Sequence, residues 1–340
     1  MSSRGSGSGD KSLPEPKHLR VGVVGAGVMG SNHARVLAGL PDVELVGVVD
    51  PLPAHRTRVE GFAHCRTFET LEELLAEGID AVTIAAPTHF HHEIALACIA
   101  RKIHVLVEKP IATTVEEGQE IVNAARRAGV TLMIGHVERF NPAVPAIKQA
   151  LQGEDILSIA ITRVGPFPPR MSNVGVVIDL AVHDIDLIRW FTESDIVEVQ
   201  PQLSSAVAER EDIALLQFRT ASGVLAHINT NWLTPFKARS VTVATRGKYI
   251  MGDLLTRQVT ECFGFKPDGS YSMRHLPVGH DEPLRAELVA FLHAVRTGEM
   301  PAVTGEEGVT SLEIATRCLE ASTKRIAAPS ARKGPRRIAG

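Results

Sequence analysis

At 340 residues, with 44% hydrophobic and 22% charged residues, the chain has the size for two domains and enough apolar material for their cores. Its formal net charge of −3 argues against a broad basic field for nucleic acid, and no uncharged apolar run reaches membrane-spanning length. The four cysteines, Cys65, Cys98, Cys262 and Cys318, are scattered without a CxxC pair, which points to reduced thiols in a cytoplasm rather than a disulfide frame or zinc site.

The first 18 residues are rich in Ser, Gly and Lys and lack the apolar stretch of a signal peptide; they and residues 326–340 read as flexible tails. Residues 20–50, RVGVVGAGVMGSNHARVLAGLPDVELVGVVD, are the organising stretch of the sequence. An apolar run at 21–24 predicts a buried strand, a helical pattern continues through Leu40, and a second apolar run at 43–49 ends in Asp50. Gly25 permits a tight turn, Gly27 lets backbone approach a pyrophosphate, and Gly30 lets the helix pack on the strand. The helix N-terminus would offer free N–H groups and a partial positive charge to that anion. Asp50 lies 20 residues beyond Gly30, where a carboxylate accepts hydrogen bonds from a ribose diol. A GxGxxG alone is a common tight turn; strand, helix and distant acid together predict a dinucleotide. Asp50 favours NAD over NADP because it repels a 2′-phosphate, a preference that Arg56 and Arg58 would soften.

Strands and helices then alternate. Helices are expected at 52–60, from a Thr70/Glu73 capping box to 77, at 89–101, and at 114–128 closed by Gly129. Strands are expected at 64–67, 80–86, 103–107 and 130–135. That alternation predicts a doubly wound parallel sheet, with ligands beyond the carboxyl ends of the strands, where Asp50, Thr88, Glu108 and Lys109 fall. After Arg139 the pattern changes. A helix at 141–151, a strand at 156–164, a proline-rich loop at 165–170 and a helix at 174–191 precede a run of strands: 196–200, 204–208, 213–218, 224–231, 239–244, 248–252 and 258–262. Helices at 283–297 and 305–322 close the chain, the last packing back on the first domain. The expected fold is therefore α/β: a Rossmann unit at 19–138 and an α+β unit at 139–325 with a large, mostly antiparallel open sheet, between tails at 1–18 and 326–340.

Lys109 follows a buried strand and precedes Pro110 at the cofactor edge; a surface lysine would look the same, but one held near a nicotinamide can stabilise an alkoxide as hydride leaves. Asp179 and His183 are four apart in VIDLAVHDIDLIRW, so the carboxylate can contact the imidazole, orient it and stabilise its protonated form for general-base catalysis. A helix-surface ion pair has the same spacing, and Asp184 or Asp186 could fill the role of Asp179. His89, His91 and His92 lack metal-ligand spacing and read as a helix start near the nucleotide. Arg163 and Arg170 flank the proline-rich loop, and Lys237 and Arg239 follow Trp232; these are clamps for a phosphorylated substrate or solvated cations.

GAGVMG with Asp50, HHEIALACIARKIHVLVEKP and DLAVHDID together resemble the glucose-fructose oxidoreductase / inositol dehydrogenase / rhizopine catabolism (Gfo/Idh/MocA) family, from about Arg20 to Ser322. The resemblance implies NAD(P)-dependent oxidation of a sugar or cyclitol hydroxyl, with Lys109, Asp179 and His183 at the reaction centre. It also implies an open sheet that often makes an oligomer interface, hence a homodimer or homotetramer. Along the NAD it places Gly25, Gly27, Val28, Met29, Gly30, Asp50, Pro87, Thr88, His92, Glu108 and Lys109. GHVERFNPAV, RVGPFPPR and NWLTPFKARS look most like the nucleotide-sugar branch, which implies UDP-N-acetylglucosamine oxidised at its 3-hydroxyl. There Lys109, Arg163, Asp179, His183, Lys237 and Arg239 would meet substrate, Lys237 and Arg239 near the diphosphate. Many family members carry a Gly-Gly pair before the histidine helix, whereas this chain has Asn173-Val174-Gly175-Val176-Val177. A dehydrogenase of inositol or a free sugar, and a non-catalytic NAD-sensing protein, are the alternatives.

Overall fold

The computed structural model describes residues 18–168 and 174–327, so most of the expected tails at 1–18 and 326–340, together with Arg170 and Asn173, lies outside the described residues. The first half runs β1 (Leu19–Val24), α1 (Val28–Ala38), β2 (Val43–Val49), α2 (Pro53–Ala63), β3 (Arg66–Phe68), α3 (Leu71–Ala76), β4 (Ala81–Ile84), α4 (His91–Ala100), β5 (His104–Glu108), α5 (Val115–Ala128) and β6 (Leu132–Gly135). The strands pair in parallel in the order β3-β2-β1-β4-β5-β6, the order of a Rossmann sheet. They read as apolar runs because both faces are covered: β4 is buried at every position. Helix starts follow local chemistry. Thr70 with Glu73 and Thr114 with Glu117 each form a reciprocal capping box, and Gly129 closes α5 in the left-handed conformation at φ 66°. Strand order reverses between β1 and β4, which opens a crevice beyond the carboxyl ends.

The second half runs α6 (Ala143–Ala150), β7 (Ile156–Pro166), a π-helical turn (Val177–Ala181), α7 (Val182–Thr192), β8 (Ile196–Ser204), β9 (Ile213–Thr220), β10 (Leu225–Asn231), β11 (Leu233–Thr245), β12 (Lys248–Asp253), β13 (Gln258–Phe263), β14 (Ser272–Leu276), α8 (Pro283–Thr297) and α9 (Gly305–Ala327). Its eight strands are ordered β14-β13-β12-β11-β7-β10-β9-β8, antiparallel except for the β7–β10 pair. One face packs on α6 and α7 through Ile147, Ile159, Ile185, Leu216, Ile228 and Val241. α9 joins the two sheets. It contacts β8 and α7 on one side and α5 and β6 on the other, where Gly305 and Gly308 leave no room for a Cβ against Leu132 and Ile134.

Three expectations fail, each for a physical reason. Residues 196–208 do not form two strands: β8 runs unbroken through Pro201, because an edge strand can leave the proline's missing N–H unpaired. Residues 206–208 turn instead, their N–H groups donating to the buried carboxylate of Asp212. β14 is an added edge strand; nearly all of its side chains are exposed, so it carries no alternating pattern. The helix expected at 174–191 opens with the π turn, which sequence spacing does not reveal.

Candidate active site

The glycine turn has the shape its sequence implies. Gly25 adopts φ 92°, and a Cβ there would lie 2.6 Å from the backbone of Ala86. A Cβ on Gly30 would lie 1.7 Å from the Gly25 carbonyl oxygen, so α1 can start close to β1 only with glycine here. Gly27 faces open space, with nothing within 4 Å of a built Cβ. The first turn of α1 has neither a capping side chain nor an acidic residue, so its N–H groups remain available. That open, uncapped turn fits a pyrophosphate. Val28 is exposed and Met29 partly so, at the rim of the same opening.

Asp50 stands at the end of β2 with its carboxylate largely committed to its own turn. It accepts from Ala26 N–H (2.7 Å) and Leu52 N–H (2.9 Å), and His55 Nδ1 lies 3.1 Å away. Burial disfavours its charge, but these hydrogen bonds outweigh burial and hold its pKa below the usual carboxylate value. A carboxylate has about four acceptor positions, so roughly one remains for a ribose hydroxyl. Arg56 donates to the Asp50 carbonyl (2.7 Å), and Arg58 arches over the glycine turn to the Ala26 and Gly27 carbonyls and Ser31 Oγ.

After β4, Pro87 leads into a 3-10 turn at Thr88–Phe90, which places Thr88 beyond the carboxyl end of that strand. The imidazole of His92, at the start of α4, is paired through Nε2 with Glu120 of α5 (2.8 Å). The neighbouring His91, read from sequence only as part of a helix start near the nucleotide, is buried and spans the turns after β4 and β5, with ring nitrogens 2.8 Å and 2.9 Å from the carbonyls of Ala86 and Pro110. Burial pushes its pKa down, and the neutral ring donates to one carbonyl at a time. Glu108 is buried and turned inward, accepting from His33 Nε2 (3.0 Å) and from the Lys109 N–H (3.2 Å), so it supports the turn rather than facing the opening. The Lys109–Pro110 bond is cis.

Lys109 reaches across to the second half of the chain. Its Nζ donates to the Asp179 carbonyl (2.6 Å) and to Asp179 Oδ1 (3.1 Å), with 15% of the lysine side chain and 20% of the aspartate exposed. This corrects the pairing inferred from spacing. Four residues bring side chains together on an α-helix, but Asp179 lies in the wider π turn, which carries it off the His183 face and toward Lys109. His183 is buried with Nδ1 unpartnered, and its ring meets the His136 ring edge-on at 5.8 Å between centroids. Its protonated form is disfavoured, not stabilised. Burial first, then the positive charges of Lys109, Arg163 and Arg239, holds its pKa well below the usual histidine value. The imidazole is neutral at neutral pH and ready to accept a proton. His136, at the end of β6, is a second buried, neutral imidazole at this site; a single histidine after a strand gave no spacing signal.

Residues 19–136 match the oxidoreductase family of NAD-binding Rossmann folds (Gfo/Idh/MocA), and residues 160–250 match its C-terminal domain. An inositol 2-dehydrogenase of Rubrobacter xylanophilus is 30% identical, over 90% of this chain and 91% of that protein. The chain belongs to the Gfo/Idh/MocA family. It is an NAD-dependent oxidoreductase acting on CH–OH groups. Another member, UDP-N-acetylglucosamine 3-dehydrogenase of Acidithiobacillus ferrooxidans, is 29% identical over 82% of this chain and 89% of its own. The solved structure of that protein overlays with a TM-score of 0.83, covering 89% of this chain and 97% of the other.

Within this family framework the expected substrate clamps divide. Arg163 is no clamp: it is buried, and its guanidinium is consumed by Asp184 (2.7 Å) and Glu138 (2.8 Å). Asp186 is likewise taken, by Arg139 at 2.6 Å through both oxygens. Neither Asp184 nor Asp186 is therefore a rival to Asp179. Arg239 shares Glu138 (2.7 Å) but keeps a third of its side chain exposed. Lys237 is exposed, in a bulge where β11 slips register against β7 between Leu233 and Ala238, and its stem passes beside Gly165. Among the described residues no helix is long and apolar enough to cross a membrane.

Proposed function

We propose that the chain oxidises a secondary hydroxyl of a nucleotide-linked sugar, with the 3-hydroxyl of UDP-N-acetylglucosamine as the first candidate. The observation that carries the reaction is the meeting of Lys109 Nζ with Asp179 beside a neutral, buried His183 at the carboxyl edge of the first sheet. The uncapped turn at Gly27 would seat the pyrophosphate of NAD, and Asp50 would hold its ribose. NAD, when bound, supplies the acceptor for the hydride released by the sugar carbon. His183 takes the hydroxyl proton. Lys109 donates a hydrogen bond to the same oxygen and offsets the negative charge that grows on it as the C–H bond breaks. Asp179 keeps the lysine aimed, through its carbonyl and Oδ1. The exposed amine of Lys237 and the one-third-exposed side chain of Arg239 suit a diphosphate.

A cyclitol substrate is the second reading, favoured by the 30% identity to the inositol 2-dehydrogenase. NADH formation with UDP-N-acetylglucosamine, myo-inositol and glucose separates the two. Turnover on UDP-N-acetylglucosamine alone supports the first; turnover on inositol alone replaces it; tight NAD binding with no turnover on any polyol points to a sensing role. We further infer a homo-oligomer built through the uncovered sheet face, which presents Leu215, Leu225, Tyr249 and Met251 to solvent. Light scattering that finds only monomer would reject that.

A further inference from the structure

Beneath the Lys109 turn lies a buried cluster that proton and hydride transfer leave unused. His33 of α1, Glu108 of β5 and Glu287 of α8 bring ring nitrogen and carboxylate oxygens within 4.8 Å of one another. His33 and Glu287 have no exposed surface, and Glu108 has almost none. Glu108 has partners in His33 and the Lys109 N–H. Neither oxygen of Glu287 has a hydrogen-bond partner.

An ionised, unpaired carboxylate at such a position is strongly disfavoured, and a second negative charge alongside makes it worse. The cations on surrounding elements are committed elsewhere. Lys109 turns its amine to Asp179. Arg139, on a second 3-10 turn (Val137–Phe140) packed against α8, is held by Asp186 and Glu307, and Glu138 on that turn is held by Arg163 and Arg239. Arg35 of α1 pairs with Glu282 at the surface, and His136 is neutral. On α8 itself, Arg285 is exposed, His293 pairs with Glu299, and Arg296 donates to the Asp42 carbonyl.

We propose that Glu287 is a positioning residue that holds a proton at neutral pH and donates it to a Glu108 oxygen, so that one negative charge rather than two ties α1 and α8 to the turn bearing Lys109. Two carboxyl groups so close cannot both ionise cheaply, and sharing one proton gives Glu287 the partner it otherwise lacks. Burial and the Glu108 charge push the Glu287 carboxyl well above its usual range, while the His33 hydrogen bond keeps Glu108 ionised. A cation gripped by the same three side chains would have to break the 3.0 Å contact between His33 and Glu108.

The decisive test does not depend on the substrate. The folded chain keeps a proton on Glu287 that the unfolded chain releases above about pH 4.3, so the stability this provides is complete below that pH and is lost as pH rises toward the folded value. Glu287→Gln has a permanent amide donor and nothing to lose. Its Tm relative to the wild type should therefore climb between pH 5 and pH 9, by more than about 3 °C. A pH-independent difference, or one that moves the other way, overturns the proposal. Infrared spectra of wild type labelled with 13C-glutamate should show a protonated carboxyl at pH 8, which serves even if the variant fails to fold; its absence overturns the proposal, as does stoichiometric metal in the purified protein. For the positioning role, and on whichever substrate the wild type oxidises, Glu287→Leu should lower kcat at least tenfold and Glu287→Gln should restore it to within about threefold. Equal losses in both variants, or none in either, remove that role.

Discussion

The π turn with α7 carries two polar regions built from the same residue types and used in opposite ways. Asp184 and Asp186 face Arg163 and Arg139, and both guanidiniums are buried and donate to them in return. Asp179 and His183, only a few residues earlier, face Lys109 and leave the imidazole without a partner on Nδ1. The first region fixes the helix; the second leaves capacity for a ligand. Charge alone does not distinguish them, but completeness of pairing does: a closed network has nothing left to offer a substrate.

That contrast can be broken by experiment. His183→Ala should cut kcat by about 10²- to 10⁴-fold while calorimetry finds NAD affinity little changed and thermal unfolding finds Tm nearly retained. A fall in Tm with turnover intact would place His183 in the structural region instead. Arg163→Ala should do the reverse. It strands Asp184 as a buried charge and leaves Glu138 to Arg239 alone, and denaturant unfolding should show a loss of about 3–5 kcal/mol, with KM nearly unaltered in the protein that remains folded. A higher KM without lost stability would restore Arg163 as a substrate clamp. The pH profile sharpens the comparison further. Protonated His183 cannot accept a proton, and its pKa lies well below the usual histidine value. kcat/KM should thus stay flat as pH falls through 6.5, its ordinary value, and drop only on more acidic ground. A drop centred at or above 6.5 would mean the imidazole is not held neutral. The smallest effect belongs to Lys237→Ala, which should raise KM for a UDP-sugar several-fold and leave a free sugar unaffected. Equal effects on both would argue against a diphosphate at that bulge.

Much of the first sheet was legible because its signals are local. Apolar runs mark strands buried on both faces, and Thr70, Thr114 and Gly129 mark helix ends within a few residues of the groups they satisfy. The glycine turn was legible for the same reason, since steric need at Gly25 and Gly30 is set by immediate neighbours. The second half was harder. Pro201 looked like a strand end because its tolerance depends on β8 lying at the sheet edge, a property of topology rather than of the dipeptide. The Asp179–His183 pairing failed because a single wider helical turn redirects a side chain without changing any residue. Arg163 was misassigned because its partners come from other elements. The pairing of His33, Glu108 and Glu287 was out of reach for the same reason, since α1, β5 and α8 meet only in the folded chain.

The most direct trial of the account is NADH formation by Lys109→Ala beside the wild type, on the sugar the wild type turns over, with NAD affinity measured in parallel. Removing the amine that stabilises the developing alkoxide should lower kcat by about 10²- to 10³-fold while NAD still binds. Undiminished turnover, or loss of NAD binding as the sole defect, would contradict it.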